Sequence, residues 1–200
     1  MSWEETDRGF ASRSKLPSAL KNESEDNYEP PNLSDLHRLL WTKAESGHVD
    51  QVWPNLYLGD AWTARDKATL QRLKITHILN SAHGKFNINT GANDYKDMLI
   101  HYYGIEAFDS PDFNLSVFFY SAAKFIRAGL NTPGGRVFVH CAMGMSRSAT
   151  LIFAFLMICE KMTLVEAITA VSPHRNTSPN AGFLGQLQEL DRSLMQERKQ

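Results

Sequence analysis

The sequence predicts a single-domain α/β fold with a mainly parallel central sheet flanked by helices. Three observations lead there. Short runs rich in β-branched and aromatic residues (Ile75 to Leu79, Met98 to Ile105, Val137 to Val139) alternate with longer stretches of helical periodicity, as crossover units on a parallel sheet do. The run from Ala149 to Cys159 is apolar except at Thr150, so it reads as a helix buried on all sides and too short to span a bilayer. One tight loop, His140-Cys141-Ala142-Met143-Gly144-Met145-Ser146-Arg147-Ser148, joins the strand ending at Val139 to that helix.

The elements follow in order. Residues Met1 to Pro31 read as a polar tail: seven acids against four bases, with few large apolar residues to offset the entropy of ordering. A first helix opens at Asn32-Leu33-Ser34, capped by Asn32 or Ser34, with Leu33, Leu36, Leu39 and Leu40 on its apolar face. Val52 to Leu58 has strand character broken by a turn at Pro54-Asn55, and Ala61 to Leu73 reads as a surface helix. The strand Ile75 to Leu79, a loop from Ala82 to Lys96 and the strand Met98 to Ile105 come next. Pro111 keeps Phe108 to Pro111 a loop, and Asn114 to Leu130 is an amphipathic helix capped at Asn114. After the central strand, loop and helix, Leu164 to Val171 forms a helix stopped by Pro173. Ser178-Pro179-Asn180 starts the last helix, whose inner face is Phe183, Leu184, Leu187, Leu190 and Leu194. Residues 32–200 thus make one domain behind a tail of 1–31.

Composition narrows the function. The 200 residues are 42% apolar and 22% charged, with a formal charge of −1, which argues against nucleic acid or a membrane surface as partner. The tail carries −3, leaving the remainder near +2, a mild bias suited to phosphate ligands. Two cysteines are too few for a disulfide framework and fit a reducing compartment, so the cytoplasm, with the nucleus as a second site, is expected. No signal-peptide core opens the chain, and no spacing of His, Cys and carboxylates suggests a metal site or calls for a cofactor.

The loop carries the chemistry. A strand–loop–helix turn aims successive backbone N–H groups into one concavity at a helix N-terminus, which makes an anion site. The same field favours a thiolate at Cys141. Arg147 can grip two phosphate oxygens in a bidentate fork. Nucleophile, cradle and clamp lie within eight residues, and nucleophilic attack on phosphorus through a phosphocysteine uses all three.

These residues resemble the signature of cysteine-based protein tyrosine phosphatases. Ala149-Thr150-Leu151 and Pro179-Asn180-Ala181-Gly182-Phe183-Leu184 are similar to the dual-specificity branch. Val52 to Asp60, Thr76 to Gly84 and Met162 to Ile168 resemble its atypical members from testis and skeletal muscle. The resemblance covers about residue 32 onward. It implies Cys141 as nucleophile, Arg147 as phosphoryl clamp and Ser148 as the hydrogen-bond donor that helps the sulfur leave. It implies substrate contact through His140 and the loop Ala142, Met143, Gly144, Met145, Ser146 and Arg147, with His140 also orienting the loop and helping to hold the thiol pKa down. Asp109, aligned through Gly104 to Phe108, takes the place of the general acid, with Asp97 and Asp112 as rivals. Phe108 departs from the smaller or acidic residue usual there.

Arg175 matches a position that lines a second phosphate pocket in some relatives; read on its own it is equally a cation satisfying carbonyls at a helix end. Cys159 lies too far along its helix to pair with Cys141. The lack of lysine among Ala142, Met143 and Met145 favours phosphoprotein over inositide or RNA substrates. The expected partners are phosphorylated proteins, signalling kinases among them, with weak self-association. The rival reading is a phosphoprotein-binding scaffold without turnover.

Overall fold

The computed structural model describes residues 28–42, 44–85 and 87–200. Its sheet has five strands in the order β1-β2-β5-β3-β4. β1 (Val49–Trp53) and β2 (Leu56–Gly59) form an antiparallel hairpin across Pro54-Asn55, with Asn55 at φ 59°, the left-handed conformation such a turn needs. β2, β5 (Val137–His140), β3 (His77–Asn80) and β4 (His101–Gly104) are all parallel. The expected mainly parallel sheet flanked by helices is therefore present, with β1 its antiparallel edge.

β5 sits at the centre because every residue of it is buried; each flanking strand pairs with it in register, Gly59 and Asn80 both opposite His140. Its carboxyl end is thus the middle of the sheet's rim, where parallel sheets place ligands. α5 (Arg147–Cys159) leaves that rim and runs through the core, buried from Arg147 to Met157. α4 (Phe119–Asn131), α6 (Leu164–Val171) and α7 (Ala181–Arg198) pack around it, and α1 (Leu33–Leu40) adds Leu36 and Leu40 to the same core.

Several boundaries differ from expectation for local reasons. Asn32, not Ser34, caps α1 by accepting the Asp35 N–H at 3.0 Å. The expected helix Ala61 to Leu73 is two, α2 (Ala61–Arg65) and α3 (Lys67–Arg72), because Asp66 turns out of helical geometry and caps α3 through the Thr69 N–H. Asn114 does not cap α4. A 3₁₀ turn, Ser116–Phe118, precedes that helix, and Gln186 of α7 accepts the N–H groups of Leu115 and Ser116, each at 2.9 Å. The expected loop from Ala82 to Lys96 contains a further 3₁₀ turn, Ala92–Tyr95, anchored by buried Tyr95, whose hydroxyl donates to the Ala64 carbonyl.

Residues 1–27 of the expected tail lie outside the described residues. Tyr28, Glu29 and Pro31 meet α7: Tyr28 reaches Asp191 at 2.5 Å, Glu29 pairs with Arg192, and the Pro31 carbonyl accepts from Gln188. The helices are too short or too polar to cross a membrane among the described residues.

Candidate active site

The loop between β5 and α5 owes its shape to its carbonyls. Ala142 O accepts the Ala61 N–H at the start of α2, and Met145 O accepts the Ser178 N–H. Gly144 O and Met143 O accept Nε and Nη2 of Arg175 at 2.9 and 3.1 Å. Ser146 O accepts the Thr150 N–H and hydroxyl. All five carbonyls from Ala142 to Ser146 are thereby drawn to partners around the loop. In a trans peptide the N–H of the next residue points opposite to the carbonyl. The N–H groups of Met143 through Arg147 therefore turn toward the inside of the loop. Gly144 N–H does so visibly, donating to Cys141 Sγ at 3.2 Å. Gly144 itself must be glycine: its φ is +68°, and a Cβ would lie 2.4 Å from Gly59 O.

Cys141 sits at the bottom of this cradle, 2% exposed, with Sγ 3.1 Å from Ser148 Oγ. Burial pushes its thiol pKa up. The Ser148 hydroxyl and N–H, the Arg147 guanidinium and the Gly144 N–H outweigh that and hold it below the usual thiol range. Those donors favour the thiolate, the reactive form.

His140 plays a narrower part than expected. It is fully buried, so it is no substrate contact, which corrects that assignment. Burial lowers its pKa to about 4, leaving it neutral. A neutral ring supplies no positive charge to the thiolate, so it does not hold the thiol pKa down as a cation. Its Nδ1 lies 3.2 Å from the Cys141 carbonyl and its backbone carbonyl accepts the Ser81 N–H and hydroxyl, which fixes where the loop leaves the strand.

Arg147 is held in place by acceptors on two other segments. Nη1 donates to Ala107 O at 2.9 Å and Asn87 Oδ1 at 3.1 Å. Asn87, hidden in the expected loop, also donates to Ala107 O, so it joins the clamp to the segment leading to Asp109. Nothing in the local sequence marks it. Asp109 Oδ1 accepts from Ser146 Oγ at 2.7 Å and from Asn180 Nδ2 at 2.9 Å, putting this carboxylate at the loop rim. Asp97 is elsewhere, paired with Lys67 at 2.8 Å. Phe108, 57% exposed, rests edge-on against Phe113.

Arg175 borders the groove beside the loop, but its guanidinium is engaged rather than free. It is 2% exposed, and besides the two loop carbonyls it donates to Gly47 O and pairs with Asp50 at 2.6 Å. The carbonyls it satisfies belong to the catalytic loop, not to its own helix end. That groove, of about 370 Å³, is also walled by Met143 and Met145 and by Ser46, Gly47, His48, Asp60 and Asn176. Cys159 closes α5 as a free, partly buried thiol with Sγ near the Ala123 carbonyl.

A buried thiol, a ring of inward N–H groups, an arginine and a rim carboxylate define a cysteine-based phosphatase site. The family model "Dual specificity phosphatase, catalytic domain" matches residues 56–193, and the chain belongs to that family. It is 60% identical over 172 residues to dual specificity protein phosphatase 13B of Homo sapiens, covering 85% of this chain and 87% of that one. The mouse (Mus musculus) protein of the same name is 56% identical over 172 residues. Among solved structures, human DUSP28 superposes with a TM-score of 0.66 at 26% identity, covering 76% of this chain and 97% of that one. The human tyrosine phosphatase-like serine/threonine/tyrosine-interacting protein does so with 0.64 at 31% identity, covering 72% and 96%. The chain is thus an atypical dual-specificity protein phosphatase, acting on phosphotyrosine and phosphoserine/threonine through the phosphocysteine route general to the family.

Proposed function

We propose that Cys141, Arg147, Asp109 and Ser148 divide the reaction among them as follows. The Cys141 thiolate attacks phosphorus in line, and the S–P bond forms as the ester P–O bond breaks. Protonated Asp109 gives its proton to the leaving phenol or alcohol oxygen. Arg147 and the inward N–H groups of Met143 to Arg147 bind the equatorial oxygens, whose charge they neutralise at the transition state. Water then attacks the phosphocysteine, Asp109 takes its proton, and the Ser148 hydroxyl stabilises the departing thiolate. Inorganic phosphate leaves.

The observation that carries this reading is the joint position of Ser146: its carbonyl helps aim the N–H cradle, and its hydroxyl holds Asp109 over the same loop. The experiment is Asp109→Asn. Its rate on substrates with poor leaving groups should fall about 100-fold or more, and the alkaline limb of its pH profile should flatten. An unchanged limb would assign the acid to another residue.

The preferred substrate in this reading is a single phosphorylated residue within a protein. The apolar wall of Met143 and Met145 suits a phenyl ring or peptide chain, and the Arg175 guanidinium that borders the groove is already engaged by loop carbonyls, Gly47 O and Asp50 rather than open to a second phosphate. Signalling kinases are the partner class we place first. A reducing compartment, cytoplasm or nucleus, suits a nucleophilic thiolate. Comparing turnover of singly and doubly phosphorylated versions of one peptide tests the substrate reading. A strong preference for the doubly phosphorylated form would oppose it.

A further inference from the structure

Asp191 is fully buried in α7, far along the helix from the residues that meet the catalytic loop. Its two oxygens have two donors: the Leu164 N–H at the start of α6, at 3.2 Å, and the Tyr28 hydroxyl at 2.5 Å. Leu164 belongs to the domain, whereas Tyr28 comes from the segment ahead of α1. Among the described residues, the segment's other polar contacts with α7 are Glu29 with Arg192 at 3.4 Å and the Pro31 carbonyl with Gln188 at 2.6 Å. From Asn32 onward the chain is anchored by α1, whose Leu36 and Leu40 are core.

We propose that Tyr28 is a tyrosine-phosphorylation site whose modification releases the segment 28–31 from α7. A tyrosine kinase would transfer the γ-phosphoryl of a nucleoside triphosphate to Tyr28 Oη. The Oη–P bond forms, the bridging bond to the β-phosphate breaks, and the hydroxyl proton is lost to the kinase's base. Asp191 then loses a donor and would face close to two negative charges instead. The nearby cations do not offer an easy refuge. Arg192 is engaged by Glu189 and Glu29, and Arg198 donates to the carbonyls of Met157 and Met162. Glu166 adds a further negative charge to the neighbourhood. Docked and phosphorylated states are therefore incompatible at this contact.

Access needs only local opening. Residues 28–31 and their three side-chain contacts have to detach, while α1 stays anchored in the core. The sequence around Tyr28 defines the kinase class: Glu23, Glu25 and Asp26 precede it and Glu29 follows, a substrate for a basic peptide groove. Burial pushes the Tyr28 phenol pKa upward, so the docked hydroxyl stays a donor at neutral pH.

The test treats the full-length Cys141→Ser chain, which cannot strip the label itself, with ATP and a soluble tyrosine kinase that accepts acidic peptides. A synthetic peptide of residues 22–32 is the positive control. Mass spectrometry should find phosphate on Tyr28. Hydrogen exchange at the Leu164 amide should rise at least about tenfold, and the melting temperature should fall by about 3 °C or more. Tyr28→Phe should take no label at this position and leave exchange elsewhere in the core unchanged. A kinase that labels the peptide but not the folded chain would overturn the proposal. So would phosphorylated Tyr28 with unchanged Leu164 exchange and melting temperature.

Discussion

Asn180 joins the acid to the last helix: its Nδ2–H donates to Asp109 Oδ1 at 2.9 Å, while its own Oδ1 accepts the Phe183 N–H at 2.9 Å. One side chain therefore caps α7 and sets the rim position of Asp109. The two duties separate by mutation. Asn180→Ala should lose about 1 kcal/mol of stability and slow turnover of poor leaving groups more than good ones. Asn180→Asp keeps a capping oxygen but sets a like charge against Asp109, so stability should return and rate should not. Urea unfolding and kcat across a series of aryl phosphates check this; equal slowing for all leaving groups would separate Asn180 from the acid.

Gly144 is a geometric requirement of the cradle. Gly144→Ala meets Gly59 O and the Arg175 guanidinium, at 2.4 and 2.7 Å from the new Cβ, and forces φ +68° on an L side chain. The loop must shift. Activity should fall more than about 100-fold, the scale set by a misplacement of about 1 Å. Circular dichroism with kcat/KM distinguishes this from unfolding. A folded, fully active Gly144→Ala chain would contradict the cradle.

Arg175 braces the loop through backbone carbonyls and Asp50, so Arg175→Lys should act on chemistry for every substrate. A lysine cannot reach Gly144 O, Met143 O and Asp50 together, because it lacks the planar fork. The expected loss in kcat/KM is about tenfold or more, equal for singly and doubly phosphorylated peptides. A loss confined to the doubly phosphorylated peptide would make Arg175 a phosphate ligand after all.

His140 makes stability depend on pH. Its pKa falls from 6.5 unfolded to about 4 folded, so the unfolded chain binds the extra proton first. Stability from this group is complete above about pH 6.5 and is lost as pH falls toward 4, by about 3 kcal/mol in all. Urea unfolding at pH 7 and pH 4.5 should show the loss, and His140→Gln should reduce it. An identical pH dependence in both proteins would remove His140 as its cause.

What was legible in the sequence was local or strongly periodic. β5, the catalytic loop and α5 were readable because an almost wholly apolar run from Ala149 to Cys159 and a Cys-to-Arg spacing need no partner to interpret. α7 was readable from its leucine stripe and Asn180 cap. Most of the differences involve distant partners. Asn114 reads as the cap of α4, but the backbone N–H it accepts is that of Ser116 in the preceding 3₁₀ turn, at 3.2 Å, a donor it shares with Gln186, 70 positions beyond that serine, which also takes the Leu115 N–H. The sequence leaves Arg175 open between phosphate ligand and carbonyl partner, because Gly47 and Asp50, which engage it, lie 128 and 125 residues earlier. Asn87 gave no signal because its role exists only where Arg147 and Ala107 meet. The α2–α3 break had a local marker that went unread, Asp66 three residues before the Thr69 N–H it accepts.

The most direct test of the account is phosphate release from a peptide phosphorylated on tyrosine and threonine, followed at each position with wild type and Cys141→Ser, with an acid quench to trap the enzyme. The account predicts release from both positions by the wild type alone, with labelled phosphate recovered on the peptide containing Cys141. Turnover by Cys141→Ser, or wild-type turnover with no label on Cys141, would contradict it; binding without release by either would make the chain a scaffold.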